Sequence, residues 1–169
     1  MNLSRIASPL AALALCWLGL AAFVLGTADR MPERVATHFG AGGQPDGWMS
    51  RDTHAKTIIG FGIGISAFLL LIFLGIRAFG GLGLNIPHRD YWFAPERREA
   101  TFDFVARWGI WLACALTAFV ACIHWMVLLA NERTPVALPG PEFGYLIASF
   151  LAAVLAWIVV LCVRFSRKP

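Results

Sequence analysis

The chain has 169 residues, 59% of them hydrophobic and only 14% charged, with a formal net charge of +4. Soluble domains run at about 45–50% and 25%, so this composition excludes an ordinary water-soluble domain and predicts an all-α, polytopic membrane protein. No Walker loop, nucleophile elbow or metalloprotease helix occurs, and no cofactor is implied.

A membrane crossing takes about 20 apolar residues, at a rise of about 1.5 Å each over about 30 Å of hydrocarbon. The first run that meets this is Leu10–Gly26, preceded by Arg5. Gly26-Thr27-Ala28 resembles a signal-peptide cleavage site, but the apolar stretch is longer than the roughly 7–15 residues of a signal core. A retained helix is therefore expected, with a cleaved signal as the alternative.

The loop from residue 27 to 51 is longer than an idle connector, since loops beyond about 12–15 residues tend to be functional or locally folded. Val35, Thr37 and Phe39 alternate with Ala36 and His38, which predicts a short extended stretch. Gly40-Ala41-Gly42-Gly43 breaks it. Pro45-Asp46-Gly47 is a turn signal, because Pro fixes φ, Asp caps its own backbone and Gly admits positive φ. A small hairpin-like lid is expected, with Ser50 or Asp52 capping the helix that follows.

That helix is the second span, Ile58–Ile76. Gly60 and Gly64 form a GxxxG on it, with Gly62 and Ser66 one ridge over. Packing within the bundle is the first expectation for such a stripe, homodimerisation the second. The segment 77–107 carries Asn85-Ile86-Pro87-His88-Arg89-Asp90-Tyr91-Trp92, an irregular interfacial stretch. Pro95 suits the first turn of a helix and Glu96 its positive end, with Arg97 to Arg107 leading into the third span, Trp108–Ala130. The fourth span, Phe143–Val163, bears a small-residue stripe at Ala148, Ala152 and Ala156, a second candidate dimer face. No Asp, Glu, Lys or Arg lies in any of the four runs. The four cysteines, Cys16, Cys114, Cys122 and Cys162, all lie inside them, so no disulfide framework is expected.

Four spans put both termini on one side. With them lie Arg5, Arg77, Arg89, Arg97, Arg98, Arg107, Arg164, Arg167 and Lys168, against Arg30, Arg34, Arg51, Lys56 and Arg133 on the other. The positive-inside rule then places both termini and the 77–107 segment in the cytoplasm and the lid outside it. The basic excess thus needs no nucleic acid.

Three groups of residues could carry chemistry. His38, Asp46 and His54 are the candidate acid–base or metal set outside the membrane. Their spacing matches no ligand motif, so a His38–Asp46 hydrogen bond pinning the turn is expected, and no metal. His124 is the one ionisable residue in a span; interfacial or inter-helix hydrogen bonding is expected of it, with proton chemistry or transport as the alternative. Arg97, Arg98 and Glu99, with Arg89 and Asp90, are of mixed charge and read as a solvated face, with lipid headgroups or a cytoplasmic regulator as other partners.

Met31-Pro32, His38-Phe39, Gly43 and Pro45-Asp46-Gly47-Trp48 together resemble a bacterial membrane domain of unknown function that opens the SdpI-type immunity proteins. Met31 and Gly40 stand where that pattern has Leu and Asn. Asn85-Ile86-Pro87-His88-Arg89-Asp90-Tyr91-Trp92 and Ala94-Pro95-Glu96-Arg97-Arg98 are similar to the cytoplasmic segment of such proteins, which have further spans. The resemblance implies a domain over residues 1–107, with 108–169 as a C-terminal helix pair in one integrated bundle. It further implies a bacterial inner-membrane location and a non-enzymatic role in sensing, or protecting against, an extracytoplasmic peptide or envelope stress. A small transporter or transporter subunit is the alternative, a membrane enzyme a distant one. The lid residues Pro32, His38, Phe39, Gly43, Pro45, Asp46, Gly47 and Trp48 would recognise the ligand. Asn85, Pro87, Arg89, Tyr91, Trp92, Pro95, Glu96 and Arg97 would face a cytoplasmic partner.

Overall fold

The structure, a computed structural model, describes residues 3–167. Four helices are long and apolar enough to cross a membrane: α1 (Leu3–Gly26), α2 (Arg51–Ala78), α4 (Arg98–Asn131) and α5 (Gly140–Ser166). Between the first two lies an antiparallel hairpin of β1 (Arg34–Phe39) and β2 (Pro45–Ser50), and between α2 and α4 a single-turn helix, α3 (Arg89–Trp92). The protein is thus an all-α membrane bundle carrying one small two-stranded lid.

Every spanning helix outruns its apolar core, because a helix does not stop where hydrocarbon stops but where capping chemistry stops it. For α2 the start is set by Ser50, whose Oγ accepts the Thr53 N–H at 3.2 Å. This puts His54 inside the helix, not in the loop. At the head of α4, Pro95 is not in the first helical turn as expected. It occupies the second position of a turn in which the Arg97 N–H bonds the Ala94 carbonyl, a place that suits its fixed φ, and α4 begins at Arg98. From there α4 runs without a break through residues 107 and 108.

The centre of the bundle is α4, which packs along both α1 and α2. Of its most apolar stretch 39% is buried, against none of that of α5. Ile6 and Leu13 of α1 meet Ala106, Ile110 and Ala113 of α4 near one end; Leu20 and Val24 meet Val120 nearer the other. Small residues set the spacing. A Cβ on Gly109 would overlap the Phe73 ring, and one on Gly62 would strike Leu20 and Val120. Gly62 and Ser66 are therefore the inward ridge of α2. Gly60 and Gly64, the expected packing stripe, have nothing within 4 Å of where a Cβ would stand and face out of the bundle. Ala148, Ala152 and Ala156 of α5 are exposed as well.

Polar ties cross these seams. The Trp17 indole donates to Ser66 Oγ at 2.7 Å, joining α1 to α2, while Ser66 itself donates to the Gly62 carbonyl. Arg77 joins α2 to α4 through Asp103, at 3.1 Å, and Glu99. By contrast, α5 meets α4 through the stacked Phe119–Phe150 pair, a 3.2 Å bond from the Trp157 indole to the Trp108 carbonyl, and the buried Phe165 against Val105 and Phe104.

Candidate functional site

The lid owes its shape to its turn residues. The Gly40 N–H bonds the Gln44 carbonyl at 2.9 Å and the Gly43 N–H the Gly40 carbonyl at 2.8 Å, with Gly43 at φ +75° where a side chain would be strained. His38 Nδ1 and Asp46 Oδ1 form a short contact across the hairpin, both side chains largely exposed. Gly47 lies opposite His38, and a Cβ there would come within 2.9 Å of the His38 Cβ. The expected pinning of the turn by His38 and Asp46 is therefore present, and Gly47 makes room for it. Trp48 is exposed, with the Arg34 guanidinium 5.3 Å from its ring centre. Pro32 is exposed ahead of β1.

The strand-like alternation expected along β1 breaks at Val35 and Ala36, which are both buried. Each is buried by a different partner. Val35, with Met31, packs on Val127 and Leu128 of α4. Ala36 is clasped by Asn131, whose Oδ1 accepts the Ala36 N–H and whose Nδ2 donates to the Ala36 carbonyl, both at 2.9 Å. One amide side chain thus does for β1 what a neighbouring strand would. Three further hydrogen bonds secure the lid. Arg30 binds Glu132 through Nε and Nη2, at 3.0 and 2.8 Å, and the Leu138 N–H donates to the Gly43 carbonyl at 2.9 Å.

Between the seated hairpin and the ends of α4 and α5 is a cleft of about 280 Å³. Met126, Val127, Leu138 and Phe143 give it an apolar floor, while Phe39 and His38 form the hairpin side. Of the eight lid residues predicted from sequence, these last two line the cleft. Asp46 reaches it through its contact with His38, and Gly43, Pro45 and Gly47 shape the backbone around it.

Below the lid lies a buried polar chain. His124 is 1% exposed and sits between α1 and α2. Its Nε2 is 2.9 Å from Thr27 Oγ1 and its Nδ1 3.1 Å from His54 Nε2. The Thr27 hydroxyl also lies 2.8 Å from the Phe23 carbonyl. With the hydroxyl proton on that carbonyl, His124 donates from Nε2 and accepts at Nδ1 from His54 Nε2; with it on His124, the directions reverse. The expected inter-helix bonding of His124 is found. The grouping of His54 with His38 and Asp46 is not: the start of α2 carries His54 into the bundle, while the other two stay on the lid.

At the opposite end the 77–107 segment folds back on the helices. Trp92 is buried and donates to the Phe165 carbonyl at 3.2 Å. Arg97 lies 4.0 Å from the Tyr91 ring centre and donates to the Tyr91 carbonyl; Arg89 lies over Phe93. Asn85 and Pro87 line a separate apolar cavity, and Glu96 falls in the turn before α4.

Sequence reasoning missed Thr27, His54 as a partner of His124, Asn131 and Glu132. His54 gave no signal, its partner His124 being 70 positions away. Asn131 gave none, its partner being 95 positions away.

Residues 14–55 match a family described as a domain of unknown function, DUF1648. The matched stretch covers most of α1, the whole hairpin and the first turn of α2, including Thr27, His38, Asp46 and His54. No curated protein and no solved structure matches the chain.

Proposed function

We propose that this chain is a non-enzymatic receptor of the bacterial inner membrane, with both termini cytoplasmic and the lid outside, that senses or protects against an amphipathic extracytoplasmic peptide or the envelope stress it causes. The observation that carries this reading is the lid cleft, in which an apolar floor lies beside an exposed His38–Asp46 pair. Such a site suits a ligand with an apolar face and a polar edge. The lid is bonded to the end of α4 and the root of α5, and at the far end Trp92 is bonded to α5, so one bundle links the cleft to the 77–107 segment.

The test is deletion of the gene followed by challenge with membrane-active peptides, complemented by wild type or by His38→Ala with Asp46→Ala. The double variant should reach the membrane at wild-type level yet fail to protect or signal; full complementation would sink the proposal. Alkaline phosphatase fused after Gly47 should be active and after Glu96 inactive, and the reverse pattern would overturn the orientation. A second reading, proton-coupled transport, draws on the Thr27–His124–His54 chain. His124→Ala should leave the peptide response intact.

A further inference from the structure

At the termini end, α2, α4, α5 and the segment before α3 enclose a cavity of about 170 Å³. Phe73, Ile86, Trp108, Trp157, Leu161 and Phe165 give it an almost wholly apolar wall. Two features distinguish it from a packing fault. The indole Nε1 of Trp108 is buried and has no acceptor among the described residues. Flanking wall residues directly in sequence are two guanidiniums, Arg107 before Trp108 and Arg164 before Phe165, and neither has a carboxylate partner among the described residues. Arg107 is exposed, and Arg164 rests 5.0 Å from the Trp92 ring centre and 5.3 Å from that of Phe104.

We propose that this cavity is a binding site for an anionic membrane glycerophospholipid. One acyl chain fills the apolar space. An ester carbonyl, which in a glycerolipid lies between tail and phosphate, accepts the Trp108 N–H. The phosphate lies at Arg107 and Arg164. A buried indole N–H without an acceptor is unfavourable in a dry site, and an ester oxygen supplies the missing partner. Water would satisfy the indole but not the apolar wall, and an alkane would do the reverse; a glycerolipid does both. The choice of an anionic headgroup follows from charge. Among the described residues, Arg77, Arg89, Arg97, Arg98, Arg107, Arg164 and Arg167 lie at this end with only four acids, Asp90, Glu96, Glu99 and Asp103. This inference is independent of the receptor reading and of the orientation.

The test uses the full chain purified in mild detergent and offered phosphatidylglycerol and phosphatidylcholine in equal amounts, with bound lipid counted by native mass spectrometry. Phosphatidylglycerol should be retained preferentially. Arg107→Gln and Arg164→Gln should each weaken retention about fivefold, and Leu161→Trp should abolish it by occupying the tail space. Equal retention of both lipids, or a preference that survives all three substitutions, would overturn the proposal. Should a variant elute as aggregate, wild-type protein with a phosphatidylglycerol carrying a diazirine in its tail decides the matter. Crosslinks concentrated on residues 84–87 and 157–165 support the site, and crosslinks spread evenly over the lipid-facing helices refute it.

Discussion

The two ends of this molecule use the same basic side chains in opposite ways. At the lid end, Arg30 is held by Glu132 and Arg51 lies 3.8 Å from Asp29, so these charges are neutralised between elements and serve to close the fold, Arg34 over Trp48 being the exception. At the termini end, Arg89, Arg97, Arg98 and Arg164 lie over aromatic rings with no acid partner among the described residues, Arg97 also donating to the Tyr91 carbonyl. Arg77 is the exception there, a largely buried guanidinium bound by Glu99 and Asp103. The difference teaches that a positive end marks more than topology. An arginine stacked on a ring is ordered without being neutralised, and so remains available to phosphate.

The comparison breaks first at Arg77. Arg77→Met should be the most destabilising, by about 3 kcal/mol, because it takes from the buried Asp103 carboxylate the guanidinium bonded to it at 3.1 Å. Loss of monodisperse elution and a steep fall in Tm in detergent would show it. Asn131→Ala comes next, at about 1–3 kcal/mol, since two backbone groups of Ala36 lose their only clasp. Hydrogen exchange should then quicken across residues 34–50 and stay unchanged in α5. In the buried chain, His54→Ala and His124→Ala should be coupled by about 0.6–1.7 kcal/mol in a double-mutant cycle, the range of hydrogen bonds between membrane helices. Additive losses would mean that the two rings do not share a proton. Glu132→Gln should be the mildest, below about 1 kcal/mol, as its partnership with Arg30 is half in water. If it matched Arg77→Met, the contrast between the ends would be wrong.

How much of this was legible depended on distance along the chain. Composition and run length predicted the four helices, and the Gly, Pro and Asp residues of the lid predicted a hairpin with His38 bonded to Asp46, since those partners are eight positions apart. The inward face of α2 was not legible from hydropathy. In lipid the outer face of a helix is as apolar as the inner one, so no polar stripe distinguishes Gly60 and Gly64 from Gly62 and Ser66. Nor could the sequence say that His124 meets His54 and Thr27, at separations of 70 and 97 residues. The looseness of α5 was equally hidden: it is the most apolar span, with a mean hydropathy of 2.9, and the least buried.

The bond from Leu138 to Gly43 makes α5 a lever. Should its root move with the hairpin, the bond from Trp157 to the Trp108 carbonyl would be one pivot on α4, nearer the far end. At about 1.5 Å per residue, the arm above that fulcrum is roughly 26 Å and the arm below it roughly 12 Å. A hairpin displaced by about 2 Å would swing Phe165 by about 1 Å the other way, across the carbonyl that holds Trp92 and the wall of the apolar cavity. Two sites on opposite sides of a membrane would then share one rigid part.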